Sequence, residues 1–154
     1  MLSACTTVQV GKPPAFSCSP DIMVAKEFRN EPDFSAAEST TFQEDDRQAV
    51  ALLSCSNLSG KHTVRWEWYA NGLPYQITRE VPFNSPEKTF KRTATASHAV
   101  NIHGEHAAET TGNWQVRAYL DGQLIGEKSF SISAEVDLID QVRKIPLGQP
   151  DHKR

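Results

Sequence analysis

Residues 111–133, TGNWQVRAYLDGQLIGEKSFSIS, decide the fold. Trp114, Val116, Ala118 and Leu120 alternate with Gln115, Arg117 and Tyr119, the period-two pattern of a strand with one face in a core. Asp121-Gly122 then reverses the chain, because a two-residue type I′ turn needs positive φ and Asp-Gly supplies it with little strain. On the return, Leu124, Phe130 and Ile132 share a parity. The segment therefore predicts one β-hairpin.

Working outward, residues 62–69 repeat the pattern, with Val64, Trp66 and Trp68 on one face and Arg65, Glu67 and Tyr69 on the other. Asn71-Gly72 is a second hairpin turn and returns through residues 73–80, after which Pro82 and Pro86 are expected to break the sheet. Residues 89–102 alternate again, with Phe90, Ala94, Ala96, Val100 and Ile102 in phase, and residues 103–112 connect back into the first hairpin. Upstream, AVALLSC within residues 48–56 is apolar on both parities, as in a strand buried on both sides or one whose outer face is covered. Ile22, Val24, Lys26 and Phe28 mark a first strand over residues 22–28. Residues 29–46 are rich in Glu, Asp, Ser and Thr and predict a long irregular connection pinned by Phe34 and Phe42.

About seven strands and no helix before residue 134 predict an all-β chain, an antiparallel β-sandwich. Parity among apolar neighbours predicts that Trp66 and Trp114 are buried on the inner faces of its two sheets. The expected organisation is a tether over residues 1–20, a sandwich over 21–133, and an amphipathic segment with a tail over 134–154. In that last part Leu138, Ile139, Val142 and Ile145 stand at helical spacing before Pro146.

A chain of 154 residues suits one domain with a real core. Its mean hydropathy of −0.49 and nine prolines leave room for loops and tails. No run approaches the ~20 apolar residues of a membrane helix. A net charge of −3 with interspersed signs does not favour a nucleic-acid partner.

The tryptophan pair of HTVRWEWYANG, the glycine-to-tryptophan start of GNWQVRAYLDG and the closing LIGEKSFSI together resemble an immunoglobulin-like β-sandwich over residues 22–133, of the kind found in small exported bacterial domains. Cys55 stands eleven residues before Trp66, as the first cysteine of an immunoglobulin domain does, but residues 114–119 hold no second cysteine. The inter-sheet disulfide of antibody domains is therefore not expected. Leu2-Ser3-Ala4-Cys5, followed by the Pro-containing stretch TTVQVGKPPAFSCSP, resembles the lipobox of bacterial lipoproteins. That resemblance implies a lipid on Cys5 and, with Thr6 next, an outer-membrane lipoprotein facing the periplasm. The basic and apolar parts of a signal peptide are not in the sequence, so the chain is expected to start just ahead of the processing position. The alternative is a cytoplasmic protein that begins MLSAC. With Cys5 lipidated, Cys18 and Cys55 remain as a candidate bridge; otherwise Cys55 is a small buried hydrophobe and Cys18 an exposed thiol.

Three sets of residues are candidates for chemistry. His103 and His106, with Glu109 beyond, are weak metal-ligand candidates without a marked third or fourth ligand; a solvated polar loop accounts for them as well. Tyr69, Tyr75 and Tyr119 are expected to point away from the tryptophan face, where they would anchor a protein, stack on sugar rings or flank the core. The long segments 29–46 and 103–112 are candidate recognition loops beside otherwise tight turns. No G-x-S-x-G elbow, phosphate-cradling glycine loop or paired-carboxylate motif is present, and no cofactor is expected. The expectation is a non-catalytic, lipid-anchored envelope domain that binds a protein. Glycan binding, a metal-dependent or enzymatic role for the His103/His106 loop, and a structural spacer are the alternatives.

Overall fold

The computed structural model describes residues 16–27, 38–84 and 93–134. Two sheets face each other. The smaller holds β1 (Ser17–Cys18), β2 (Met23–Ala25), β4 (Gln48–Ser56) and β8 (Thr93–Asn101); β1 and β2 pair successive lengths of β4, and β8 pairs β4 as well. The larger runs β3 (Thr41–Gln43), β10 (Gln123–Ser133), β9 (Gly112–Leu120), β5 (Lys61–Ala70) and β6 (Leu73–Ile77), with β7 (Val81–Asn84) continuing along β5 beyond β6. The chain is an immunoglobulin-like β-sandwich.

The core is built by the predicted alternation. Val64, Trp66 and Trp68 of β5 and Trp114, Val116, Ala118 and Leu120 of β9 are all buried, facing Ala49, Ala51, Leu53 and Cys55 of β4. Phe130 is the hub of the aromatic packing, with its ring centroid 5.3 Å from Phe42, 5.9 Å from Trp114 and 6.0 Å from Trp68. Each indole buries an area that contributes, as an upper bound, about 4–6 kcal/mol of transfer free energy. Two of the indole N–H groups have partners. The Trp114 Nε1–H donates to the Thr110 carbonyl at 2.8 Å, and the Trp68 Nε1–H crosses between the sheets to His98 Nδ1 at 3.0 Å.

Asn71 and Asp121 adopt φ of 50° and 49° and their following glycines 80° and 79°, the positive values that type I′ turns need. Gly112 has φ of 123°, and a Cβ there would run into the Asn71 side-chain oxygen. That side chain bridges the β5–β6 turn to the start of β9, its Oδ1 accepting from the Asn113 backbone N–H and its Nδ2 donating to the Thr111 carbonyl, both at 3.0 Å.

Several sequence expectations are corrected. Trp66 and Trp114 are both buried, but on the same sheet, because β5 and β9 are neighbours with Ala70 paired to Trp114. Pro82 does not end the sheet; it sits in β7 opposite Thr63, on an edge strand where a missing N–H is tolerated. The stretch 29–46 is not irregular throughout, since β3 pairs in parallel with β10, making the sandwich other than purely antiparallel. Within it Phe42 is fully buried, as expected of a pin, whereas Phe34 lies outside the described residues. The described part of the first strand is short, over Met23–Ala25, and residues 28 and 89–92 lie outside the description. Leu124 departs from the parity of Phe130 and Ile132: a register shift between Leu124 and Gly126 turns it to the Tyr119 side, where it is 51% exposed. Residues 103–112 contain one helical turn, α1 (His106–Glu109), with Ala107 buried. The end of the expected tether belongs to the sandwich, because Ser17 and Cys18 pair with Ser56 and Cys55. A disulfide joins Cys18 to Cys55 across that pair, closing a separation of 37 residues and contributing about 2–4 kcal/mol in the chain-entropy view. Cys5 and the amphipathic segment after residue 134 lie outside the described residues.

Candidate functional site

The alternation that buries the tryptophans sends Arg65, Glu67 and Tyr69 of β5 and Gln115, Arg117 and Tyr119 of β9 to the opposite, outer face of the larger sheet. The register sets Arg65 against Tyr119, Glu67 against Arg117 and Tyr69 against Gln115. Glu67 is the centre. It is only 7% exposed, although it lies on the face turned away from the core. Arg65 Nη1 donates to Oε1 at 2.7 Å, and the hydroxyls of Tyr69 and Tyr119 donate to Oε2 at 2.7 Å and 3.0 Å. Each guanidinium also lies over a tyrosine ring, Arg65 4.2 Å from the Tyr119 centroid and Arg117 4.8 Å from that of Tyr69.

Burial pushes the Glu67 carboxyl up, but the Tyr69 and Tyr119 hydroxyls and the Arg65 and Arg117 charges together outweigh it and hold the pKa below its ordinary value. Glu67 is thus an anion at neutral pH, locking two tyrosines and an arginine in place. The Tyr69 phenol is pushed up, chiefly by its hydrogen bond to Glu67, and remains a donor. Beside this cluster lies an open depression of about 570 Å³, lined by Tyr69, Asn113, Gln115, Arg117 and Ser129 among others.

Tyr75 does not join the other two tyrosines. A register shift between Trp68 and Tyr69 on the β5–β6 pair leaves Tyr75 packed on the core, its ring 4.6 Å from Trp114 and stacked 6.1 Å from His106. His106 itself turns to Glu109, with Nδ1 3.3 Å from Oε2. His103 lines a separate shallow cleft with Asp45, Arg47, Asn101 and Glu105. Among the described residues no three His, Cys, Asp or Glu side chains are grouped to hold a metal ion. The described parts of the two long segments serve the scaffold: Gln43 and Asp46 close a tight turn, and Thr110 caps the Trp114 indole.

Two other histidines stand out electrostatically. His62 has an acceptor at each ring nitrogen, Asp121 Oδ2 2.7 Å from Nδ1 and the Ser59 carbonyl 2.9 Å from Nε2, so only the protonated ring satisfies both. Its pKa is raised, first by Asp121 and then by Ser59. His98, half-buried between the sheets, accepts the Trp68 indole N–H, and burial lowers its pKa.

The grouping of Arg65, Glu67 and Arg117 with the tyrosines was not drawn from the sequence. Alternation shows that these residues face outward, but not that β5 and β9 are neighbours in a register that converges on Glu67. The available signal is the Arg and Tyr recurring at even spacing in both RWEWY and RAY.

The chain matches no protein-family model and no curated protein. Among solved structures it is similar to an immunoglobulin-like protein of Pseudomonas aeruginosa, with a TM-score of 0.49 and 13% identity over 80% of this chain and 100% of that one. An alkylpurine DNA glycosylase of Pseudomonas fluorescens follows at a TM-score of 0.45 and 9% identity, over 73% of this chain and 30% of that one. A β-glucosidase of Erythrobacter marinus has a TM-score of 0.46 and 12% identity, over 77% of this chain and 15% of that one.

Proposed function

We propose that this chain is a non-catalytic binding domain, anchored in the bacterial envelope through a lipid on Cys5, that recognises a protein partner with the outer face of its larger sheet. The observation that carries the reading is the convergence of Arg65, Tyr69 and Tyr119 on Glu67. Tyrosine and arginine are the residue types that dominate binding energy at protein interfaces, and their ordering here lowers the entropy lost on association. Protein is favoured over glycan because a guanidinium already covers one face of each tyrosine ring, where a sugar would stack. The Cys18–Cys55 disulfide supports an oxidising compartment, in keeping with the lipobox-like Leu2-Ser3-Ala4-Cys5.

Capture from envelope extract tests the surface. Tyr119→Ala is expected to lose a partner that the parent retains, while Asn101→Ala on the smaller sheet keeps it. Capture that survives Tyr69→Ala and Tyr119→Ala but fails on charge reversal of Glu105 or Glu109 would move the surface to the 103–112 segment. Anchoring is tested separately: with the complete reading frame expressed in a bacterium, Cys5→Ser is expected to release the protein from the membrane fraction.

A further inference from the structure

We infer that the depression beside the Glu67 cluster accepts a carboxylate from an acidic segment of the protein partner, and that Arg117 binds it. This rests on the protein-binding reading above and specifies the chemistry of the surface. The residues lining the depression include one guanidinium, that of Arg117, and no carboxylate. Asn113, Gln115 and Ser129 line it too, and none of the side-chain hydrogen bonds among the described residues uses their amide or hydroxyl groups. Two amide N–H₂ groups and a hydroxyl are therefore left to donate beside the guanidinium, a donor set that suits an anion.

The two outer-face arginines differ in what they already hold. Arg65 donates to the buried Glu67 at 2.7 Å and is engaged within the protein. Arg117 is held by weaker partners, the Tyr119 hydroxyl, which accepts from it, and the exposed Glu127. Its buried Nε makes no hydrogen bond, and the Glu127 carboxylate 3.3 Å away is 51% exposed and out of line with the N–H. Such an exposed pair is worth little, so an incoming carboxylate can displace Glu127 and gain the neighbouring donors. Glu67, opposite Arg117 in the ladder, already accepts three donors. The Tyr69 ring beneath Arg117 keeps the planar guanidinium from folding away, presenting it for two-point contact.

The test is an array of short peptides in pairs that differ only by Asp or Glu against Asn or Gln at each position, probed with the intact protein and its variants. Acidic members should bind at least about tenfold tighter than their amide counterparts, the size of one charge-assisted hydrogen bond, and the preference should shrink with added salt. Arg117→Gln should abolish the preference. Glu127→Gln, which removes the internal competitor, should strengthen it several-fold, an effect that a merely structural Arg117 would not produce. Melting curves of both variants accompany the array. Equal binding of acidic and amide peptides, a preference that survives Arg117→Gln, or no retention of any peptide would overturn the assignment. Retention of neutral peptides that is lost in Tyr119→Ala would leave the protein-binding reading standing and remove only the carboxylate.

Discussion

On the smaller sheet, Ala25, Val50 and Leu52 alternate with the core residues Val24, Ala51 and Leu53 and so sit on the outer side, yet they are only 0%, 3% and 2% exposed. On the larger sheet the corresponding side carries Arg65, Glu67, Tyr69, Arg117 and Tyr119, tied together by hydrogen bonds and cation–π contacts. The difference separates two uses of a pleat. The apolar β2–β4 part of the smaller sheet's outer side is stabilised by being covered, while Thr95, Ser97 and Ala99 of β8 on the same side stay exposed. A polar face whose side chains are already ordered remains available for a partner, at a smaller loss of rotamer freedom.

The largest effect expected from breaking this contrast is at its inner boundary: Trp66→Ala or Trp114→Ala should cost about 3–5 kcal/mol by denaturant titration, and a melting temperature within a degree or two of the parent would contradict the core assignment. Leu52→Ala sharpens the comparison directly. Although it sits on an outer side, it should cost about 2–4 kcal/mol, and a loss like that of an exposed leucine would mean that this part of the smaller sheet's outer face is open after all. Gly112→Ala should cost about 1–3 kcal/mol, since an added methyl meets the Asn71 side chain at a positive φ; a neutral result would show that the β5–β6 turn can move away from β9.

The two histidines should give pH dependences of opposite sign. His62 has a raised pKa, so its contribution is full below about 6.5, the unfolded value, and is lost as pH rises through the folded value. His98 has a lowered pKa, so protonation favours the unfolded chain and stability falls as pH drops from about 6.5 toward the folded value. Thermal melts from about pH 8 to 5.5 should therefore show His98→Gln gaining relative stability on acidification and His62→Asn losing it. Parallel curves for the two variants would show that these contacts do not control protonation. The smallest expected change in stability is that of Tyr119→Phe, under about 1 kcal/mol because one hydroxyl to Glu67 is lost while the ring stays beneath Arg65. Partner capture should nonetheless weaken, and a variant that binds as well as the parent would show that the phenol does not position the surface.

Sequence alone determined the β-class of this protein, the two hairpins at Asn71-Gly72 and Asp121-Gly122, and which side of β5 and β9 is apolar, because these depend on period and on turn chemistry within a few residues. The apolar double parity of β4 was likewise legible, and both of its sides are buried. Tertiary structure alone decided that β5 and β9 adjoin, so that three tryptophans share one sheet and two tyrosines and an arginine meet on Glu67. It also decided that register shifts would turn Leu124 outward and set Tyr75 on the core, since a shift of one residue exchanges the faces of everything beyond it. Strand order, register and bulges follow from the packing of segments far apart in the chain, and no local pattern carries them.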